Sequence, residues 1–474
     1  MDRMSTLDAE FLHLEDTASH MHIAGVCTFA GEPPTLAELR DLIGSKLHLI
    51  PRYRQRVQPV PLELGRPVWV DDPHFHLDYH VRHTALPRPG GDDELRQLMG
   101  RLMSQPLDRD RPLWETWLVE GLDDDRWALI FKVHHCMVDG IAGVGLLTVL
   151  LDLDADAARP EPEPWEPAPA PSAPALVLDA WSGLLSDTGS FVAHLPAALH
   201  DPGAALTRAG QLTEGMVRML RRLVFTGRSS IEGGIGPHRV WAHSAVPFEH
   251  IRDIRQTLGG TVNDVVLAAV SGGYRRLLEE RGDDPDSTEV RSLVPVSVRG
   301  SDADGITDNR VSALLLDLPV EFKDPVDRLV EVQRRMGELK GSHMAEAAEM
   351  VTQFGNLAPP AVVGAVSRIG LRSQHLLTQR SVTTVTTNVP GPQFPLYCLG
   401  REMIEYLPFV PISYGVRVGT AILSYNGNLA FGITGDLDNG ADVEVLAQGI
   451  VDGIADLRSA AGDAAEHLVE GARE

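Results

Sequence analysis

Cysteine is scarce in this 474-residue chain: Cys27, Cys136 and Cys398 stand far apart and show no metal-type spacing. Their odd number, with no cleavable leader at the start, leads us to expect reduced thiols in a cytoplasmic protein. No run of about twenty uncharged apolar residues occurs, so the chain is not expected to span a membrane. Positive charge is also in short supply. Lys and Arg number 42 against 66 Asp and Glu, a formal net charge of −24. That balance excludes nucleic acid as a partner. It also means that any anionic substrate or lipid surface must be met by local basic patches against the global field. The hydrophobic share of 43% and charged share of 23% are those of a globular protein. A chain this long exceeds one ordinary core, which predicts two domains.

What is present is concentrated in one heptapeptide, His134-His135-Cys136-Met137-Val138-Asp139-Gly140. Before it, Trp127 to Val133 is dense in aromatic and β-branched residues and predicts a buried strand. After it, Ile141 to Leu151 is apolar and free of proline, consistent with a buried helix. The histidines thus fall between a strand and a helix. Three readings of them stand open. They cap the helix and pack in a turn. They hold a metal with Asp139, although adjacent histidines at a strand end point to opposite faces. Or one imidazole faces a reaction channel as a general base, with Asp139 turned inward and Gly140 allowing close backbone approach. Cys136, between the two elements, reads as a small packed residue and not a nucleophile.

Strand-like and helical stretches alternate along the chain, which predicts an α/β fold. Residues 1–155 form a first subdomain, with helical spacing over Leu36–Leu49 and Asp93–Met103 and a strand at Pro67–Val70. His74 to His80 alternates strictly and predicts an edge strand with one polar face. Arg52, Arg54 and Arg56 have period two and predict one solvated strand face. Residues 156–235 form a connection that opens on a proline-rich linker, Pro160 to Pro174, and continues helical. Within it Arg218, Arg221 and Arg222 share a helical face beside Val217, Leu220 and Val224. Such a helix either rests in a lipid interface or packs between domains. Residues 236–474 form a second subdomain, with a helix over Val262–Leu278. Its strands are predicted at Ser292–Arg299, Ala313–Leu318, Thr383–Val389, Gly419–Tyr425 and Leu429–Thr434.

The heptapeptide matches HHxxxDG, and so resembles the acyl-CoA-dependent acyltransferases related to chloramphenicol acetyltransferase and to peptide-synthetase condensation domains. Further segments resemble one branch, the bacterial wax ester synthase/diacylglycerol acyltransferase family. These are Met4 to Leu12, Pro112-Leu113-Trp114, Thr261 to Val266 with its Asn263-Asp264 pair, Asn388 to Pro392, and Asn426 to Leu429. The resemblance implies two chloramphenicol-acetyltransferase-like subdomains, each a mixed sheet with helices, and an active-site tunnel at their interface. It implies a long-chain acyl-CoA as donor, diacylglycerol or a fatty alcohol as acceptor, no cofactor, and peripheral contact with a membrane or lipid droplet. It assigns His135 as general base, while His134 orients the loop or lines the channel, and Asp139 pairs with an arginine inside the fold. Pro112, Leu113 and Trp114 shape the acyl channel or belong to the core. Asn263 and Asp264 serve the site or cap a helix, and Asn388 to Pro392 is a turn bordering the tunnel. A different lipid or polyketide hydroxyl, or a non-catalytic protein that binds lipid or coats droplets, is the alternative.

Overall fold

The alternating β-branched and aromatic runs form two six-stranded sheets. The computed structural model describes residues 2–137, 147–182, 229–297, 311–341, 382–413 and 415–471. In order, the first sheet holds Tyr397–Cys398, Arg401–Phe409, His22–Ala30, Arg126–His134, Trp114–Leu122 and Val81–Ala85. Its neighbours run antiparallel except the last pair. The second sheet holds Val311–Leu318, Val290–Ser297, Thr384–Val389, Val418–Tyr425, Asn428–Asp436 and Arg239–Pro247. Thr384–Val389 is parallel to both of its neighbours, and the other pairs are antiparallel. The class is therefore mixed α/β with two sheet-bearing halves. A contiguous division at residue 236 does not anticipate one feature: Arg401–Phe409 leaves the second half and pairs with His22–Ala30 in the first sheet.

Helices cover each sheet with their apolar faces. Val262–Glu280 is buried along Val265 to Val270 and packs against the long helix Val443–Gly471. Its N-cap is Thr261, whose hydroxyl accepts the Asp264 N–H at 3.2 Å while Asp264 Oδ2 accepts the Thr261 N–H at 2.8 Å. That reciprocal pair satisfies two donors that the helix leaves open. Asp92–Met103 turns Leu95, Leu98, Met99 and Leu102 inward and lies against Arg239–Pro247 of the second half.

The halves meet closely. A Cβ on Gly432 would fall 1.7 Å from the Pro408 carbonyl oxygen, so only glycine allows the second sheet this near Arg401–Phe409. Trp241 Nε1 donates to the same Pro408 carbonyl at 3.1 Å. Tyr425 donates its hydroxyl proton to the Met403 carbonyl at 3.0 Å and is buried in the first half's core.

Two expectations are corrected. His74 to His80 is not an edge strand: Leu77–His80 is a helical turn and the strand begins at Val81. His80 is buried between Phe75 and Trp114, and its Nδ1 lies 2.8 Å from the Trp114 carbonyl. Stacking on two aromatic faces gives it an interior place that alternation alone does not reveal. Nor do Arg52, Arg54 and Arg56 share a solvated strand face. Pro51–Arg54 is a 3-10 turn, with Arg52 over the Trp69 ring and Arg54 over that of Trp165. Residues 157–172 carry no helix or strand, and a helix follows over 173–182. Arg218, Arg221 and Arg222 lie outside the described residues. Among the described residues no helix is long and apolar enough to cross a membrane.

Candidate active site

The histidine strand Arg126–His134 sits inside the first sheet, with His134 opposite His22. It runs directly into the 3-10 turn His135–Met137. Two backbone hydrogen bonds fix where strand becomes turn: His134 N–H donates to the Leu113 carbonyl at 2.9 Å, and His135 N–H to that of Met21 at 2.8 Å. The adjacent rings then part. His134 is fully buried, and its Nδ1 accepts the Cys136 N–H at 3.1 Å. That bond assigns the ring proton to Nε2, which lies 3.5 Å from Glu15 Oε2. His135 is only half-buried, and its ring stacks on Phe11 with centroids 4.0 Å apart. Phe11 belongs to the helix Thr6–Leu14, which packs against the turn; Met4, Ala9 and Leu12 share a buried cluster with Leu113 and Cys136.

Behind the turn lies a polar network that no motif announced. Glu15 follows the first helix and is almost wholly buried. Its Oε1 accepts the Met21 N–H at 3.3 Å and lies 3.2 Å from His22 Nε2, while its Oε2 accepts Arg109 Nε–H at 2.9 Å. Burial opposes its charge, but hydrogen bonds from His134 and His22 outweigh that and hold the carboxyl well below the usual carboxylate range. Burial pushes His22 down to about 3, with the Glu15 hydrogen bond opposing. Neutral His22 beside ionised Glu15 is the pairing that results. Lys132, two residues before His134, is buried and donates Nζ–H to the carbonyls of Leu102, at 2.9 Å, and Gln105. Its pKa falls to about 8 through burial, against the pull of Glu115. The only trace of this network in the sequence is the density of His13, His20 and His22 around the acids Glu15 and Asp16.

The remaining expected residues form two groups. Pro112, Leu113 and Trp114 are buried beside the histidine strand. Trp114 stacks between Tyr53 and His80, and its Nε1 donates to the Tyr53 carbonyl at 2.8 Å. In the second half Asn388 Nδ2 donates to Asn263 Oδ1 at 3.3 Å, joining two segments 125 residues apart. Asp264 is the capping-box acid already described. Asn388 does not sit in a turn: it is a strand residue opposite Ile422, and the chain leaves the strand only after Val389. Cys136 is buried, and burial raises its thiol far above the range in which a thiolate forms at neutral pH. Asp139 and Gly140 lie outside the described residues.

A family model described as the wax ester synthase/diacylglycerol acyltransferase catalytic domain matches residues 4–266, and one described as the WS/DGAT C-terminal domain matches residues 307–458. The chain is 36% identical over 467 residues to a Mycobacterium tuberculosis protein named "Probable diacylglycerol O-acyltransferase", covering 96% of each. Among solved structures it is similar to a wax ester synthase/diacylglycerol acyltransferase from Marinobacter aquaeolei VT8. There the TM-score is 0.71 at 25% identity, over 98% of this chain and 100% of that one. The first condensation domain of the calcium-dependent antibiotic synthetase gives a TM-score of 0.61 at 16% identity over 96% of each chain, a likeness of fold alone.

Proposed function

This chain belongs to the wax ester synthase/diacylglycerol acyltransferase family, and on that footing we propose the chemistry of its site. The enzyme is an acyltransferase. It moves a long-chain acyl group from acyl-CoA to the hydroxyl of diacylglycerol or a fatty alcohol, giving triacylglycerol or wax ester. His135 is the general base. The observation that carries this assignment is the division of labour between adjacent histidines. His134 is buried and held by Cys136 and Glu15, whereas His135 is half-buried on the flat face of Phe11.

An alcohol attacks a thioester well only if its proton leaves as the oxygen arrives. His135 takes that proton while the new C–O bond forms and the carbonyl oxygen becomes an oxyanion. Collapse breaks the C–S bond, and the CoA thiolate takes the proton back from the imidazolium. The transfer consumes only the two substrates and needs no acyl-enzyme, which accords with the raised Cys136 thiol. His134 is a positioning residue in this scheme. Asp139 and Gly140 keep the positioning roles that the HHxxxDG resemblance implies for them. The burial of Leu113 and Trp114 supports a scaffold role behind the histidine strand. Asn263 and Asn388 border the site from the second half. Substrates this apolar go with peripheral contact at a membrane or lipid droplet.

The test is purified protein with palmitoyl-CoA and either hexadecanol or dipalmitoylglycerol, following thiol release and lipid product. Thiol release with either acceptor is expected. None above background with any acceptor would leave a lipid-binding protein without turnover. His135→Ala should lower kcat by about 10²- to 10⁴-fold with an unchanged circular dichroism spectrum. An undiminished rate in that variant refutes the base assignment.

A further inference from the structure

One buried arginine has no part in the chemistry so far. Arg239 opens the strand Arg239–Pro247 and is 4% exposed. Its Nη1 donates to the carbonyls of Gly236 at 2.7 Å and His238 at 3.1 Å. Its Nη2 crosses to the first half and donates to the Ala18 carbonyl. Asp436 is fully buried, with Oδ1 3.9 Å from Nη1, and accepts the Gly236 N–H at 2.7 Å. Burying a guanidinium is costly unless its donors are met. The rigid fork meets several carbonyls at fixed angles, which an ammonium does not.

The Ala18 carbonyl belongs to a tight turn. Asp16 Oδ1 accepts the N–H groups of Ala18 at 2.8 Å and Ser19 at 2.7 Å. Just beyond it, Met21 donates its N–H to Glu15, and its carbonyl accepts the His135 N–H at 2.8 Å. A second route runs through the backbone. Arg239 N–H donates to Ser104 Oγ at 2.8 Å, and that hydroxyl donates to the Gly100 carbonyl at 2.7 Å. A Cβ on Gly100 would lie 2.6 Å from the Arg239 carbonyl oxygen, so the contact is close. The same helix end receives Lys132 Nζ–H at the Leu102 carbonyl. Both routes end on the strand and turn that carry His134 and His135.

We infer that Arg239 is a positioning residue for acyl transfer, through which the second half of the molecule sets the place of the His135 turn. The inference rests on the reading of His135 as the base. A displacement of about 1 Å at a reacting group costs on the order of 10²-fold in rate. Arg239→Ala should therefore lower kcat about ten- to a hundredfold while KM for palmitoyl-CoA changes less than about threefold. Amide hydrogen exchange should quicken at Met21, His22, His135 and Cys136 in the same folded variant. Arg239→Lys keeps the charge without the fork and should recover part of kcat; if Arg239→Ala does not fold, Arg239→Lys carries both readouts against the wild type. Unchanged kcat with unchanged exchange overturns the inference, as does a loss of kcat that merely follows the folded fraction. His135→Ala is measured alongside. Full activity there removes the base reading, while the exchange data still decide whether Arg239 holds the turn.

Discussion

The two sheets share a strand count and a mixed topology, yet they bury different chemistry. At one end of the first sheet His22, Lys132, His134 and Glu115 are all interior, with Glu15 and His80 packed nearby. The second sheet buries mainly hydroxyls, at Ser292, Thr384, Thr386, Thr420 and Thr434, and keeps its buried charges, Arg239, Asp436 and Arg291, at or next to strand ends. The rest of its core is mainly Val, Leu and Ile of strands and helices alike, with Tyr274 and Phe431 among them. A hydroxyl is satisfied by one or two neighbours, as Tyr274 and Thr384 satisfy each other. A buried ionisable group needs a set of partners held in place, or it changes its charge. The first sheet holds its imidazoles, His22 and His134, fully inside such a set, whereas the second has one partly buried imidazole, His243 beside Trp241.

Acid should separate the sheets most sharply. Burial lowers His22 from 6.5 to about 3 and His80 from 6.5 to about 4. Below pH 6.5 the unfolded chain takes up protons at these sites that the folded chain refuses. The stability they contribute is therefore whole above 6.5 and lost as pH falls toward 3. Glu15, also held low, adds a loss that begins as pH falls below 4.5. Hydrogen exchange near pH 4.5, corrected for intrinsic rates, should show first-sheet amides losing more protection than second-sheet amides, where burial holds only His243 low. Equal loss in both would dissolve the contrast.

Lys132→Met comes next in size. It leaves the Leu102 and Gln105 carbonyls without their donor, at a cost of about 2–4 kcal/mol. The urea midpoint measures it, and a shift within error would make the ionisable interior dispensable. Tyr274→Phe is the smallest change. It removes one hydroxyl pair from the second sheet and should cost about 1 kcal/mol, read from the same urea curve, with kcat unaltered.

Much of the frame was legible because it depends on local pattern. The helix Leu36–Lys46, the helix Val262–Glu280 and the strand Val418–Tyr425 follow from periodicity and capping residues close in sequence. The two histidines were legible as a strand end for the same reason. Glu15, Arg109 and Arg239 were not, because each reaches the site from a distant segment and carries no spacing of its own. Phe11 lay in a segment singled out, Met4 to Leu12, but without its place against His135. His80 misled because alternation of polar residues says nothing of a partner such as Trp114, 34 residues away. The link between Asn263 and Asn388 is equally silent in sequence, although each residue lies in a segment singled out separately.

The strand exchanged between halves sets a timetable for the growing chain. Thr28 and Glu405, which meet across the His22–Ala30 and Arg401–Phe409 pair, are 377 residues apart. At ribosomal speeds of about 5–20 residues per second, that interval is roughly 20 to 75 seconds. For that time the backbone edge of His22–Ala30 has no native partner, and an open edge invites pairing with another chain. A fragment ending at residue 266, where the catalytic-domain match stops, keeps that edge open for good. Closure of that edge in the histidine-bearing half is therefore a property that its own residues do not supply.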